Sequence, residues 1–293
     1  MNIIGNLDFV RPAAIMEDVP NRPPFRRRRL GKKLARMRVR AKMTLDEAAA
    51  ALYKTRSALH RIEKGETLVD VHLVKSMMDL YDHYDPDLVD QTQRARERGW
   101  WTSFGIENQG YIDVETEASD VREVAALIIP GLLQTPACMR ALFESHRLQR
   151  TKRWLENDIK VRQIRQERII DSENPLRLHA VVGEGALRTV VGSAEIMHDQ
   201  LGKLVRAARL PNVTLQVVPH EIGVPDGLST SFILLDFSEP EETGVLFIEY
   251  VTGALHVEDE HELREARLTF DHLAAKALSP DASVTLIERV LAG

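Results

Sequence analysis

The chain has 293 residues, of which 44% are hydrophobic and 28% charged, with a formal net charge of −5. This length and composition are sufficient for one or two domains with hydrophobic cores. The single cysteine, Cys138, excludes an internal disulfide and indicates a reducing, cytoplasmic environment. Because no apolar run approaches the ~18 residues that a membrane span needs, we expect no association with a membrane.

The first residues do not form a signal peptide, because they lack a basic n-region and because Pro12 and Asp18 interrupt the apolar positions. We predict instead a flexible arm over residues 1–24, which ends in the proline-rich sequence PNRPPF. Two domains are predicted to follow this arm, the first over residues 25–98 and the second over residues 99–293.

Charge is distributed unevenly along the chain. Residues 22–64 contain 15 Lys/Arg and 3 Asp/Glu, a net charge of +12, whereas the rest of the chain has 24 basic and 41 acidic residues, a net charge of −17. A basic head on an acidic body indicates that one end of the molecule meets a polyanion. The alternative is a basic face that is simply solvated.

The basic segment contains the pattern of three short helices. Apolar residues at spacings of three and four, from Leu30 to Ala41, predict a first helix over residues 28–41. In the following TLDE sequence, Thr44 is placed to cap a second helix, LDEAAAAL, and Glu47 to reach back to the Thr44 amide. The small alanine side chains of that second helix allow another helix to approach closely.

Thr55 is predicted to cap the third helix, which Gly65 ends in the left-handed conformation. Leu59 and Ile62 face the core, so the outer face consists of polar residues. These are Arg56, Ser57, His60 and Arg61. Two short helices joined by a tight turn, the second of them polar, form a helix-turn-helix motif. In that motif the second helix enters the major groove of DNA, where arginine, serine and threonine bond base edges and nearby cations neutralise phosphates.

The sequence LGKKLARMRVRAKMTLDEAAAALYKTRSALHRIEKGE resembles the Xre, or lambda-repressor-like, DNA-binding domain. The resemblance covers roughly residues 28–82 and implies a bundle of five helices, with further helices near 70–81 and 86–98. One position departs from the family pattern. Many members have glutamine at the start of the second helix, where this chain has Leu45, which cannot bridge a phosphate and a base-contacting side chain.

The resemblance assigns roles to individual residues. Base contacts are implied for Thr55, Arg56, Ser57 and Arg61. Phosphate contacts are predicted for Arg28, Lys32, Lys54, His60 and Lys64. A buried structural ion pair is implied for Arg38 and Glu63. The alternative for Arg56 and Arg61 is an ordinary solvated helix surface, and His60 either contacts a phosphate or lies at the groove edge.

Residues 99–110 are predicted to be the domain junction, with Trp100 and Trp101 as anchors of a new core rather than a binding platform. Beyond the junction, long amphipathic segments alternate with short apolar ones. Helices are predicted in QTPACMRALFESH, LENDIKVRQIRQERII, SAEIMHDQLGKLVRAAR, EDEHELREARLTFDHLAAKAL and SPDASVTLIERVLAG. Strands are predicted in PLRLHAVVG, NVTLQVVP, STSFILLDF and GVLFIEYVT, whereas ASDVREVAALIIP is either a helix or a buried strand. These segments predict a mixed α/β domain with a small, partly antiparallel sheet.

This second region resembles a domain of unknown biochemical role that follows Xre-type domains in regulators of streptomycetes and other actinobacteria, including those of the WhiJ type. The resemblance rests on PGLLQT, VRQIRQERI, GEGALRTVVG, QLGKLVRAARLPNVTLQVVP and LSPDASVTLIERVL, in that order. It implies capture of a small partner protein or an effector, and it offers no catalytic residues.

No motif in the second region indicates catalysis, so we expect no enzyme activity, no cofactor and no metal site. His256 and His261 flank three acidic residues, but acidic residues at the start of a helix are explained by the helix dipole. Cys138 is predicted to be a small buried residue. The helix that contains VRQIRQER has Arg147, Arg150, Lys152 and Arg153 nearby. This basic face extends the contact with DNA, meets an acidic surface of a partner, or is simply solvated.

Three hypotheses follow. The first is a cytoplasmic, nucleoid-associated repressor or other transcriptional regulator that binds double-stranded operator DNA as a homodimer, with half-sites about one helical turn apart. In the second, the C-terminal domain captures a small partner protein that changes operator affinity. The third is a DNA-tethered ligand sensor or enzyme with a pocket in the C-terminal domain.

Overall fold

The structure is a computed structural model that describes residues 23–106, 110–146, 151–239, 241–251 and 253–293. Most of the predicted N-terminal arm, together with Arg147 and Arg150, lies outside the described residues. In the part of the chain that is described, no helix is long and apolar enough to cross a membrane.

The N-terminal domain is a bundle of five helices, as the sequence predicts. They are α1 (Phe25–Arg40), α2 (Leu45–Ala51), α3 (Arg56–Glu63), α4 (Val71–Leu80) and α5 (Asp87–Arg94). Their apolar faces enclose one cluster, in which Leu34, Leu59, Val74, Met77 and Leu88 are fully buried. The first helix begins three residues before its predicted start, directly after Pro24, and the fifth ends four residues before its predicted end.

The junction forms a short 3₁₀ helix over Trp100–Phe104. Trp101 is buried, which agrees with its predicted role as an anchor of the core. Trp100 contacts it edge to face, with the ring centroids 5.9 Å apart.

The C-terminal domain is built from seven helices and six strands within the described residues. The helices are α6 (Tyr111–Glu117), α7 (Pro136–Glu144), α8 (Lys152–Glu167), α9 (Glu184–Arg188), α10 (Ala194–Ala207), α11 (Glu260–Lys276) and α12 (Pro280–Ala292). The strands are β1 (Asp120–Ala125), β2 (Arg177–Gly183), β3 (Val213–Val218), β4 (Phe232–Asp236), β5 (Val245–Tyr250) and β6 (Gly253–Val257).

The strands form one mixed sheet in the order β3-β2-β1-β4-β5-β6. Strands β1, β2 and β3 are parallel, whereas β4, β5 and β6 continue the sheet in antiparallel pairs. The ambiguous segment after residue 117 is the central strand β1, where Val121 pairs with Leu178 on one side and Leu235 on the other. Its apolar residues run together because a central strand is covered on both faces.

Helices cover both faces of this sheet. Successive strand residues point to opposite faces, so Ala180 and Val182 pack with α10 and α12, whereas Val181 packs with α11 through Phe270. Sequence analysis did not predict α6, α9 and β6. The strand β6 follows β5 after only two residues, so the sequence GVLFIEYVT predicts a single strand where the structure begins a hairpin.

The two domains meet along α1. Phe25, the first residue of that helix, lies in the apolar cluster of the C-terminal domain and stacks on Phe237 with the centroids 4.9 Å apart. Its backbone N donates a hydrogen bond to Asp113 Oδ2 at 2.6 Å. Thus α1 contributes to the core of the N-terminal domain and also ties that domain to the sheet.

Candidate nucleic-acid interface

The second helix begins with the capping box that the sequence predicts. Thr44 Oγ1 accepts a hydrogen bond from Glu47 N at 3.2 Å, and Thr44 N donates one to Glu47 Oε2 at 2.8 Å. The bonds from Thr44 hold the pKa of the Glu47 carboxyl below its usual value. This reciprocal pair satisfies two backbone donors and fixes where α2 starts.

A tight turn connects α2 to α3. Tyr53 adopts a positive φ of 54°, and Lys54 N donates a hydrogen bond to Ala49 O at 2.8 Å. Thr55 then caps α3, because its Oγ1 accepts a hydrogen bond from Ala58 N at 3.1 Å. The Thr55 hydroxyl still has its own hydrogen to donate to a base or a phosphate.

Two glycines allow α3 to approach α1 closely. A Cβ at Gly31 would lie 2.5 Å from Glu63 O, and one at Gly65 would lie 2.7 Å from the Arg27 carbonyl carbon. Gly65 also has a φ of +73°, which confirms its predicted left-handed position at the end of α3. The third helix is therefore held against the first with almost no space between the backbones.

An ion pair joins α1 and α3 at the predicted residues. Arg38 Nε and Nη2 donate hydrogen bonds to the two carboxylate oxygens of Glu63 at 2.7 and 2.8 Å, and Nη1 donates to Met43 O at 2.9 Å. The hydrogen bonds that Arg38 donates to Glu63 raise the pKa of Arg38, and burial raises the pKa of the neighbouring Tyr81 to about 12. Since the Glu63 side chain is 7% exposed, this pair has a structural role.

The outer surface of α3 and the turn before it is polar and faces solvent. The exposed side chains are those of Lys54, Thr55, Arg56, Ser57, His60, Arg61 and Lys64. Arg56 is 69% exposed and 3.4 Å from Asp46, and Arg61 lies 3.5 Å from Glu66. Such exposed pairs contribute little, so a base edge or a phosphate can replace the carboxylate. The surface thus offers two arginines to base edges and flanking cations to a phosphate backbone.

Sequence analysis missed two residues of this surface. Tyr53 is 97% exposed in the turn between α2 and α3, and Asp46 is the carboxylate that contacts Arg56. The sequence signal for an exposed turn residue is the position of Tyr53 between α2 and the cap Thr55. No sequence pattern shows that Asp46 faces Arg56, because the contact spans the angle between two helices.

Two of the predicted phosphate-contacting residues lie elsewhere. With about 100° between successive helical residues, Arg28 and Lys32 are turned roughly 90° or more from the side of α1 that contacts α3. Both cations instead contact Glu258 of the C-terminal domain, and the Arg28 side chain is 14% exposed. A contact between either cation and DNA would require these ion pairs to break.

The three arginines of VRQIRQER face inward and form no additional basic face, whereas Lys152 and Arg153 at the start of α8 are exposed. Arg165 donates hydrogen bonds to both oxygens of the buried Glu115 at 2.8 and 2.6 Å. Arg162 contacts Gln134, and burial lowers its pKa to about 10. Arg168 Nη2 donates to Ala118 O at 2.5 Å. These contacts join α8 to α6 and to the loop after β1.

Residues that could resemble a metal site have other contacts. Asp259 caps α11, since its Oδ1 accepts hydrogen bonds from His261 N and Glu262 N at 2.9 and 3.1 Å. Across the described ranges, no group of three or more His, Cys, Asp and Glu side chains is arranged to hold a metal ion. Cys138 is buried in α7, as predicted, and burial raises the pKa of its thiol.

Two family models match parts of the chain. Residues 29–91 match the family model of a helix-turn-helix domain. Residues 109–289, more than half of the chain, match the model of a domain of unknown function, DUF5753. No curated protein and no solved structure matches the chain.

Proposed function

This chain belongs to the DUF5753 family and also carries a helix-turn-helix domain, and from that premise we propose that it is a transcriptional regulator of the Xre type that binds a specific operator through α3. The observation that carries this proposal is the outer surface of α3. Arg56, Ser57 and Arg61 are exposed on a helix whose opposite side is fixed against α1.

The proposal includes a homodimer on a roughly palindromic operator. A single helix-turn-helix contacts one short stretch of major groove, and two copies related by a two-fold axis read half-sites about 34 Å apart. The base readers are Thr55, Arg56, Ser57 and Arg61, and the phosphate contacts come from Lys54, His60 and Lys64. In this scheme Arg38 and Glu63 hold α3 in position and contact no DNA.

The C-terminal domain is proposed to capture a small partner protein, in the manner of WhiJ-type regulators. One region of its surface supports this part of the proposal. The carboxyl ends of parallel strands meet at one edge of a sheet, and exposed apolar side chains follow β1, β2 and β3 at that edge. They are Leu127, Ile128, Val190, Ile222 and Val224. Exposed apolar side chains that share one edge are typical of a protein interaction site.

Selection from a pool of random duplexes tests the DNA-binding proposal. The full-length protein is incubated with the pool at moderate salt, bound duplexes are amplified, and the cycle is repeated with an Arg56→Ala/Arg61→Ala variant in parallel. We expect the wild-type protein to enrich one motif with two-fold symmetry, which the variant does not enrich. A wild-type pool that stays random after several cycles contradicts the proposed function.

A further inference from the structure

The side of α1 that points away from α3 is covered by carboxylates of the C-terminal domain. We name the cations on this side the shielded face. It consists of Arg28, Arg29, Lys32, Arg36 and Arg40. The carboxylates opposite them form the acidic surface. It consists of Glu117, Glu239, Glu241, Glu242 and Glu258.

The connection between β4 and β5 supplies three of these carboxylates. Arg29 Nη2 lies 3.0 Å from Glu239 Oε1, and Arg29 Nε donates a hydrogen bond to Glu242. Arg40 Nη2 donates one to Glu241 Oε1 at 2.6 Å. Cations along most of the length of α1 are therefore neutralised by one short acidic loop.

A second element contacts the amino-terminal part of the same side. Glu258, just after β6, accepts hydrogen bonds from both Arg28 and Lys32. Burial alone would raise the pKa of this carboxyl, but the two cations hold it below its usual value. Glu258 is therefore ionised at neutral pH, and its negative charge faces two positive charges of α1.

This contact also contains buried polar atoms without a hydrogen-bond partner in the described part of the chain. Arg36 Nε and Glu242 Oε2 are buried, and neither finds a hydrogen-bond partner among the described residues. They line a cavity of about 30 Å³ together with Phe25, Thr243 and Glu258. Unpartnered polar atoms raise the free energy of a closed interface. The two unpartnered atoms therefore weaken this contact.

We infer that the acidic surface acts as an intramolecular shield, which keeps the cations of α1 away from DNA and confines DNA binding to the face formed by α3. The inference rests on the proposed function. Five unshielded cations would bind phosphates of any sequence, because that attraction carries no sequence information. Neutralising them inside the protein lowers affinity for random duplex and leaves the base-reading helix free.

Neutral substitutions on the acidic surface provide the test. The shield variant carries Glu239→Gln, Glu241→Gln, Glu242→Gln and Glu258→Gln in the full-length protein. Four other exposed glutamates of the C-terminal domain contact no cation among the described residues. They are Glu173, Glu195, Glu221 and Glu288. Their replacement by Gln gives a control with the same change in net charge. Both variants are also made with Arg56→Ala/Arg61→Ala.

Binding to a random duplex of 30 base pairs is measured between 50 and 200 mM salt. We expect the shield variant to bind at least about tenfold more tightly than wild type at 50 mM. Three new phosphate contacts would steepen its plot of log affinity against log salt by about 2.7. This gain should persist with Arg56→Ala/Arg61→Ala, because the released cations lie on the other side of α1. The charge-matched control should bind like wild type.

A shield variant with wild-type affinity and salt dependence overturns the inference, as does an equal gain in the charge-matched control. Circular dichroism checks the fold. If the fourfold variant is unfolded, Glu241→Gln/Glu258→Gln replaces it, and the expected increase in the slope against log salt is smaller. The two proposals fail separately. If the shield variant gains affinity for random duplex but wild type enriches no motif, only the operator proposal is rejected. If wild type enriches a motif but the shield variant gains no affinity for random duplex, only the shield inference is rejected.

Discussion

The two sides of α1 make different kinds of contact, one close and largely apolar and the other ionic. Toward α3 the helix presents glycine, apolar residues and one fully bonded ion pair, at a distance that leaves no space for a side chain at Gly31. Toward the C-terminal domain it presents a row of cations, two of them about half exposed, against carboxylates on separate loops. The first contact is expected to persist in any salt, whereas ionic strength weakens the second. One helix thus combines a permanent contact with a separable one.

The largest effect is expected from a substitution in the contact between α1 and α3. Arg38→Ala leaves the buried Glu63 carboxylate without its partner, and we expect a loss of about 3–5 kcal/mol in the free energy of unfolding. Urea unfolding followed by circular dichroism measures it. Arg40→Ala, two residues along the same helix but on its other side, should have little effect because its ion pair with Glu241 is exposed. Equal losses for the two variants would show that the sides do not differ in this way.

A smaller effect concerns the carboxylate that holds the start of α1. Burial raises the pKa of Asp113 to about 6, so the folded state binds this proton more tightly than the unfolded chain does. Ionisation of Asp113 therefore costs stability above pH 6, and this cost disappears as the pH falls toward 4.

Asp113→Asn removes that charge and keeps an oxygen to accept the hydrogen bond from Phe25 N. We expect the variant to be more stable than wild type at pH 7.5, by up to about 3 kcal/mol, and nearly equal at pH 4. Urea unfolding at pH 4.0, 5.5 and 7.5 measures the difference. The exposed Asp226→Asn serves as the control and should show no such trend. A stability difference that does not change with pH would contradict the assignment.

Next in size are the effects on DNA recognition, which sharpen the difference between readers and phosphate contacts. Arg56→Ala should weaken operator binding by ~1–3 kcal/mol and relax the preference at one base pair. Lys64→Ala should weaken binding to all sequences alike, because a phosphate contact carries no sequence information. Titrations on the selected operator and on random duplex separate the two. Equal losses on both duplexes for Arg56→Ala would remove this arginine from the readers.

The smallest effect is expected where the separable side is most exposed. The Arg40 and Glu241 side chains are both more than half exposed, and exposed pairs are screened by water and salt. We therefore expect Glu241→Gln alone to leave the melting temperature unchanged within error. A clear loss of stability would show that the pair is more strongly held than its exposure indicates.

The features that sequence predicts well are local. The capping box at Thr44, the cap at Thr55 and the left-handed Gly65 each depend on residues within one or two helical turns. The Arg38–Glu63 pair was implied by a family resemblance that preserves the distance between two helices. The two caps and the left-handed glycine follow from spacing alone, because the backbone geometry of a helix fixes which neighbouring residues meet.

What sequence could not predict depends on contacts across the fold. Arg28 contacts Glu258, 230 residues later in the chain, and no local pattern records that meeting. The arginines of VRQIRQER have the pattern of a basic face, but α6 places Glu115 beside Arg165. The sequence GVLFIEYVT predicts β5 but not β6, the strand that pairs with it. These features depend on charge pairing and strand pairing between residues that the sequence alone does not bring together.

The position of Phe25 has a consequence for how the protein is divided in the laboratory. A recombinant fragment cut at the family boundary, residue 29, would omit a ring that fills the hydrophobic core of the other domain. Its complement, beginning near residue 109, would have a hole where that ring stacks on Phe237. A cavity of this kind in the core lowers stability, and the apolar surface that it exposes promotes aggregation. Expression trials should therefore begin with fragments that keep Phe25 and the C-terminal domain on one polypeptide.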